Sequence, residues 1–364
     1  MRIDVHAHYW TDAYLDMLVG LGRSDTATQR GIGASGGAEI DARLRLMDRA
    51  GIDVQVLSAA PQLPYGDDEA RTAAAARYVN DEYAALVSTH PDRFRAFAAT
   101  PMPHIDAALT EISRAIDELG MVGLTMNTSI LDRAITDPEF EPVFAELDRR
   151  GAILYLHPVG NGACSPLVSE HHITWMVGAP FEDTIAAMQL ITSGHLQKYP
   201  AVKIICSHLG GALPMIPRRA DDHVPWEAPD TQEAPSQAVH RLWYDTVSHC
   251  HAPALRCAID SFGADRLLLG TEIPYEDGDT FVQSRGVHHR RHRSRGGTCN
   301  SGRQRDGVVP DQRLGGLALP LGIAQTRPEP SGFAHRLLNR PWCPTQFADR
   351  LAVVERRFGS HESQ

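Results

Sequence analysis

The chain of 364 residues is marked first by what it has little of. No apolar run approaches the roughly 18–20 residues that a membrane span requires, so none is expected. The opening MRIDVHAHYW enters strand-like sequence at once, without the basic and apolar regions of a secretory leader. Six cysteines are scattered without a CxxC pair. That argues against a disulfide framework or a zinc finger, and for reduced thiols in the cytoplasm. No GxGxxG follows any strand-like segment, which removes the dinucleotide signature of an open, doubly wound sheet. Lysine is nearly missing: Lys198 and Lys203 stand against 33 arginines, the mark of a GC-rich gene.

What is present supports a large core, with 43% hydrophobic residues. The net charge of −10 conceals a split. Residues 284–364 carry 14 Arg, no Lys and 6 acids, a balance of +8, leaving −18 for residues 1–283. The acidic part argues against nucleic acid as a partner of the main domain.

Periodicity alternates short apolar, β-rich runs with helical stretches. Strands are predicted over 2–9, 53–60, 94–102, 121–128, 152–160, 202–210, 242–249 and 266–274. Helical patterns lie between them, such as DARLRLMDRAG ending at Gly51 and DEARTAAAARYVNDEYAALVSTHP ending at Pro91. Buried strands alternating with helices predict an α/β fold, a (β/α)8 barrel with its reactive groups at the C-terminal strand ends. The eighth helix begins plausibly over 277–283 and then loses its pattern, so it is expected to be lost or atypical.

His6 and His8 lie two apart on the first strand, so both point to one face. His157 closes the fifth strand, His208 the sixth and Glu272 the eighth. A single histidine at such a place is usually bonded to a carbonyl, but four strands delivering ligand-type groups to one rim is a different pattern. Three neutral imidazoles and a carboxylate suit one divalent ion, Zn2+ before Mn2+, with a position open for water or substrate. His208 would then be free to act as acid or base. Asp4, taken to lie inward beneath His6, and Asp245 are expected to orient histidines from behind. Cys206 reads as a small core thiol.

DVHAH, LHP, SHLGG and GTEIP resemble the amidohydrolase superfamily, in the branch of aminocarboxymuconate-semialdehyde decarboxylase. RRGAILYLHP, MQLITSGHLQKYPAVKIICSHLGG and LWYDTVSH look most like the 6-methylsalicylate decarboxylase type. The resemblance covers residues 1–283. It implies that His6, His8, His157 and Glu272 hold the metal, that His208 is catalytic and that Trp175 lines the substrate pocket. It also implies a homodimer. The chain departs from the branch in two places. GTE replaces the usual GTD, placing the carboxylate one methylene further out. The arginine-bearing hairpin after the first strand is replaced by GRSDTATQRGIGASGGAE, which makes the semialdehyde a poor substrate expectation.

The reading is a metal-dependent, non-oxidative decarboxylase of an aromatic or enolic acid. A lactonase or amidohydrolase on the same scaffold is the first rival, and a metal-free inactive barrel the second. Residues 284–364 form a separate basic Arg/Gly/Pro-rich tail, read as a frameshift product rather than a nucleic-acid-binding arm.

Overall fold

The structure, a computed structural model, describes residues 1–32 and 37–286. The expectations placed on the tail therefore lie outside the described residues from 287 onward. Eight parallel strands run in the order of the chain. They are β1 (Ile3–His8), β2 (Val54–Ser58), β3 (Phe94–Ala98), β4 (Gly123–Asn127), β5 (Ile153–His157), β6 (Lys203–Cys206), β7 (Trp243–Asp245) and β8 (Leu267–Leu268). Bridges from Asp4 to Leu269 and from Ala7 to Ile273 join β1 to the β8 segment and close the barrel. The backbone N–H of Val5 donates to Leu269 O at 2.9 Å, and that of His8 to Ile273 O at 2.8 Å.

Each strand exists because its alternate residues meet two different apolar layers. Ile3, Val5, Val54, Val56, Phe97, Ile153, Tyr155, Ile205 and Leu268 fill the barrel interior, where Phe97 stacks on Tyr155 at 5.3 Å. Leu57, Leu124, Leu154 and Ile204 face outward, into the layer shared with the helices. The longer helices are α1 (Asp12–Gly20), α2 (Gly37–Ala50), α3 (Glu69–Thr89), α4 (Ile105–Ser113) and α5 (Glu141–Arg150). They continue with α6 (Ala179–Thr192), α7 (Pro217–Glu227), α8 (Ala252–Phe262) and α9 (Gly278–Gly286). Their ends follow local chemistry. Asp68 caps α3 by accepting from Arg71 N, and Gly151 ends α5 in the left-handed conformation.

The first strand breaks the simple alternation. Asp4 pairs with Gln55 but Ala7 with Leu57, three residues of β1 against two of β2. This bulge switches the parity of β1. Ile3 and Val5 face the interior below it, and His6 and His8 also face inward above it. Asp4 consequently points the other way, contrary to the inward position expected from strict alternation. It meets Gln55 Nε2 at 2.8 Å and Thr271 Oγ1 at 2.6 Å in the outer layer, where Arg43 of α2 also reaches Gln55.

The eighth helix is present as α9, packed on α2. Phe281 is fully buried there, which contributes roughly 1.5–3 kcal/mol. Arg49 and Asp279 pair across the two helices at 3.1 Å. The cover over β1 and β8 thus begins as the sequence pattern of 277–283 suggested.

Candidate metal centre and active site

The strand ends converge as the barrel dictates, but two of the key residues sit past their strands. His208 lies in a short turn after β6 at φ 50°, and Glu272 follows β8 at φ 62°. Neither is glycine, and a branched or long side chain pays of order 1–3 kcal/mol to stay in this left-handed region. The backbone is held there by packing and by Glu272 N donating to His6 O at 2.9 Å.

One ligand atom from each of His6, His157, His208 and Glu272 falls within 4.8 Å of all the others. His8 stands outside this tightest set, yet its Nε2 is 3.0 Å from Nε2 of His6, and its ring is 4.9 Å from that of His157. Asp245 fixes the group from behind. Its Oδ2 is 2.8 Å from Nδ1 of His6 and accepts from Tyr155 OH at 3.1 Å, while its Oδ1 accepts from the backbone N–H of His208 at 2.9 Å. With Nδ1 of His6 donating to the carboxylate, Nε2 of His6 presents a lone pair to the cluster. Gly270 makes the approach possible: a Cβ there would press at 3.0 Å on the Cβ atoms of both His6 and Asp245. His157 donates Nδ1–H to Pro158 O at 2.9 Å, leaving its buried Nε2 without a protein partner. Arg43, itself buried, donates to His8 O at 2.9 Å and holds the end of β1.

His208 sits between two carboxylates. Its Nδ1 is 2.8 Å from Asp183 Oδ2, and its Nε2 lies 3.3 Å from Glu272 Oε2 and 3.4 Å from Oε1. Only the Oε1 contact has hydrogen-bond alignment, so Oε2 remains a buried acceptor with no aligned donor. Burial works against a charged His208, but Glu272 and Asp183 outweigh it and hold the group well above the ordinary histidine range. Burial likewise opposes ionisation of Glu272, and His208 together with His6 overcomes it and pulls the acid well below its usual range. His8 and His157 go the other way: burial, with their neighbouring histidines, pushes both well below the ordinary value. Within the cluster the surroundings thus favour the neutral form of His8 and His157 and the charged form of His208.

Orphaned, buried Nε2 of His157 and Oε2 of Glu272 amid converging imidazoles form a donor set that fits a divalent ion. Above them opens a cavity of about 620 Å³ lined by His157, His208 and Glu272 at the floor and by Trp175, Tyr275 and His249 higher up. Trp175 is 54% exposed and Tyr275 44%.

Three supporting residues carry no sequence signal of their own. Asp183 is one acid among many in the helix pattern of α6, and only the fold brings it to His208. Its neighbour Glu182, also buried, accepts from the backbone N–H groups of Val159, Gly160, Gly162 and Ala163, and so fixes the loop after β5. Tyr275 crosses from the β8 loop to the β1 loop, donating to Gln29 Oε1 at 2.6 Å. Arg23 and Arg30 are engaged elsewhere, with Asp25 and Asp16.

A family model described as amidohydrolase matches residues 3–285. The chain belongs to the amidohydrolase family. Among curated relatives, this amidohydrolase is 29% identical over 248 residues to a 2-amino-3-carboxymuconate-6-semialdehyde decarboxylase of Dictyostelium discoideum, covering 66% of this chain and 67% of the relative. It is 32% identical over 227 residues to a 6-methylsalicylic acid decarboxylase of Penicillium expansum, covering 59% and 68%. A solved dihydroxybenzoic acid decarboxylase from Polaromonas sp. JS666, with bound manganese and the inhibitor 2-nitroresorcinol, superposes with a TM-score of 0.68. That match is at 28% identity and covers 81% of this chain and 92% of the other. The branch expected from DVHAH, LHP, SHLGG and GTEIP is thus the one in which the relatives fall.

Proposed function

We propose that this amidohydrolase is a metal-dependent decarboxylase that removes CO2 without oxidation from an aromatic or enolic carboxylic acid. The observation that carries the reading is the orphaned pair, Nε2 of His157 and Oε2 of Glu272, at the floor of a cavity walled by Trp175 and Tyr275. Its relatives by sequence and structure are named as decarboxylases of such acids.

In this reading His6, His8, His157 and Glu272 hold one divalent ion. Three imidazoles and a carboxylate accept zinc or manganese; the Polaromonas relative carries manganese, which favours that ion here over the zinc expected from the sequence. When bound, the ion supplies Lewis acidity toward the substrate carboxylate and its neighbouring oxygen. Trp175 and Tyr275 offer flat apolar faces to the ring. His208, anchored through Nδ1 by Asp183, keeps a proton on Nε2 and delivers it to the ring carbon that bears the carboxylate. The C–C bond then breaks, its electrons return to the ring and CO2 leaves, so each turnover consumes one proton.

Residues 1–283 would form the catalytic unit and 284–364 a separate tail, in keeping with a family match that ends at residue 285. Met176, exposed at the cavity, and the exposed Leu167 and Phe181 support a homodimer. No helix among the described residues is long and apolar enough to cross a membrane. The free thiols Cys164, Cys206 and Cys257 fit a cytoplasmic location.

The test is metal content and melting temperature after chelation and after reloading, followed by CO2 release from salicylate-type acids and ring opening of lactones. Reloading with Mn2+ to about 100 Kd should stabilise the fold by about 2.7 kcal/mol and restore CO2 release alone. Lactone opening without CO2 release would transfer the site to the hydrolase reading. No uptake of zinc or manganese would remove the metal from it.

A further inference from the structure

The cavity has a charged group at its rim as well as at its floor. Among the described residues that line it there is no lysine or arginine. Beyond the cluster around Glu272, its basic side chains are His249 and His251, both from the loop after β7. His249 is the one with an anchor. Its Nδ1 lies 2.6 Å from Oε1 of Glu276, an ion-pair contact whose angle falls outside that of an aligned hydrogen bond. Glu276 is buried, whereas the ring of His249 is 75% exposed.

The two residues explain each other. A buried carboxylate needs a cation beside it, and it holds that cation's proton in place. Glu276 raises the ordinary pKa of His249 against the opposing effect of burial. With Nδ1 turned to Glu276, the remaining donor, Nε2–H, is free for a ligand. The backbone is committed to this presentation: His249 and Cys250 both hold positive φ, 48° and 59°, where non-glycine residues are uncommon. Such a pair in a loop marks a side chain whose direction matters more than the local comfort of the chain.

We propose that His249, anchored by Glu276, forms a second anion-recognition subsite, which reads an acidic oxygen substituent on the substrate remote from the reacting carboxylate. This rests on the decarboxylase reading given above. The charge layout sets the orientation. Once the reacting carboxylate occupies the floor, it and Glu272 disfavour a second anion there, and the imidazolium of His249 attracts it at the rim. An acid with a single carboxylate leaves this subsite unused. A ring with a further carboxylate, or an ionised phenol, spans floor and rim.

The experiment uses the full chain loaded with manganese, with His249→Asn and Glu276→Gln beside it. Asparagine tolerates positive φ, so the first variant removes the cation without straining the loop. Each protein is titrated calorimetrically with salicylate, with 4- and 5-carboxysalicylate and with the dihydroxybenzoates, and CO2 release is followed for each. The parent should bind at least one doubly acidic ring about ten-fold more tightly than salicylate. That ratio should collapse toward one in His249→Asn and shrink in Glu276→Gln. The carboxysalicylate and dihydroxybenzoate arms tell a carboxylate from a phenol. A ratio unchanged in His249→Asn, or no preference in the parent, overturns the subsite and leaves the decarboxylase reading standing. If the parent neither binds nor decarboxylates any of these acids, the decarboxylase reading falls and the subsite falls with it.

Discussion

Asp245 holds His6 and His208 in one register, taking the ring Nδ1 of the first at 2.8 Å and the backbone N–H of the second at 2.9 Å. One carboxylate thus aims a proposed metal ligand and places the proposed proton donor. In Asp245→Asn the backbone N–H groups of His208 and Val247 keep the amide oxygen, so the NH2 faces Nδ1 of His6, which must then accept and carry its proton on Nε2 instead of a lone pair. Manganese affinity should fall by about 10–100-fold with the circular dichroism spectrum retained. Affinity within two-fold of the parent would mean that Asp245 has no hold on the site.

His208→Asn separates a proton donor from a ligand. Asparagine accepts the φ of 50° at this position, so the turn should survive. The expected result is a fall in kcat of about 10²–10⁴ with metal content unchanged. Loss of the metal together with activity would make His208 a ligand in place of His8, as the tightest spatial cluster also permits.

Gly211→Ala tests how the wall behind His208 is built. Gly211 has φ 65°, and a Cβ there would overlap the backbone carbonyl oxygen of Pro180 at the start of α6. Backbone cannot rotate away as a side chain can. A loss of more than about 4 kcal/mol in urea unfolding is expected. A loss below 1 kcal/mol would show that α6 slides freely against this turn.

His195 gives the fold an acid limit unconnected with the site. Its ring packs edge-on to Phe144 at 5.0 Å, Nδ1 lies 2.7 Å from Ser193 Oγ, and its buried Nε2 has no partner. Burial lowers its pKa in the folded chain, so on acidification the unfolded chain takes up the proton first. The stability tied to the neutral ring is complete above about pH 6.5 and is lost as pH falls toward the folded value. Urea midpoints at about pH 7.5 and 5.5 should differ less in His195→Gln than in the parent. Equal differences would rule this ring out as a source of the acid slope.

The barrel was legible because each strand is a short apolar run punctuated by glycine or proline, and each helix has a recognisable end. The C-terminal ends of strands were less so. Segments 202–210 and 266–274 read as continuous strand, whereas the backbone leaves β6 after Cys206 and β8 after Leu268. Left-handed backbone at histidine and glutamate leaves no trace in composition. The bulge in β1 is equally silent, and it alone turns Asp4 away from the histidines above it. Asp183 and Glu182 could not be singled out, because what selects them is proximity across the barrel rather than any spacing along the chain.

The seam between β1 and β8 sets an order of assembly. Asp4 and Thr271, 267 positions apart, meet across it. During synthesis His6, His8, His157 and His208 all leave the ribosome before Glu272 does. A nascent or truncated chain ending before β8 carries four imidazoles and lacks the acid that completes them. In the proposed metal site, loading of an ion would then report that the two ends of the domain have found each other, and the ion would clasp first strand to last.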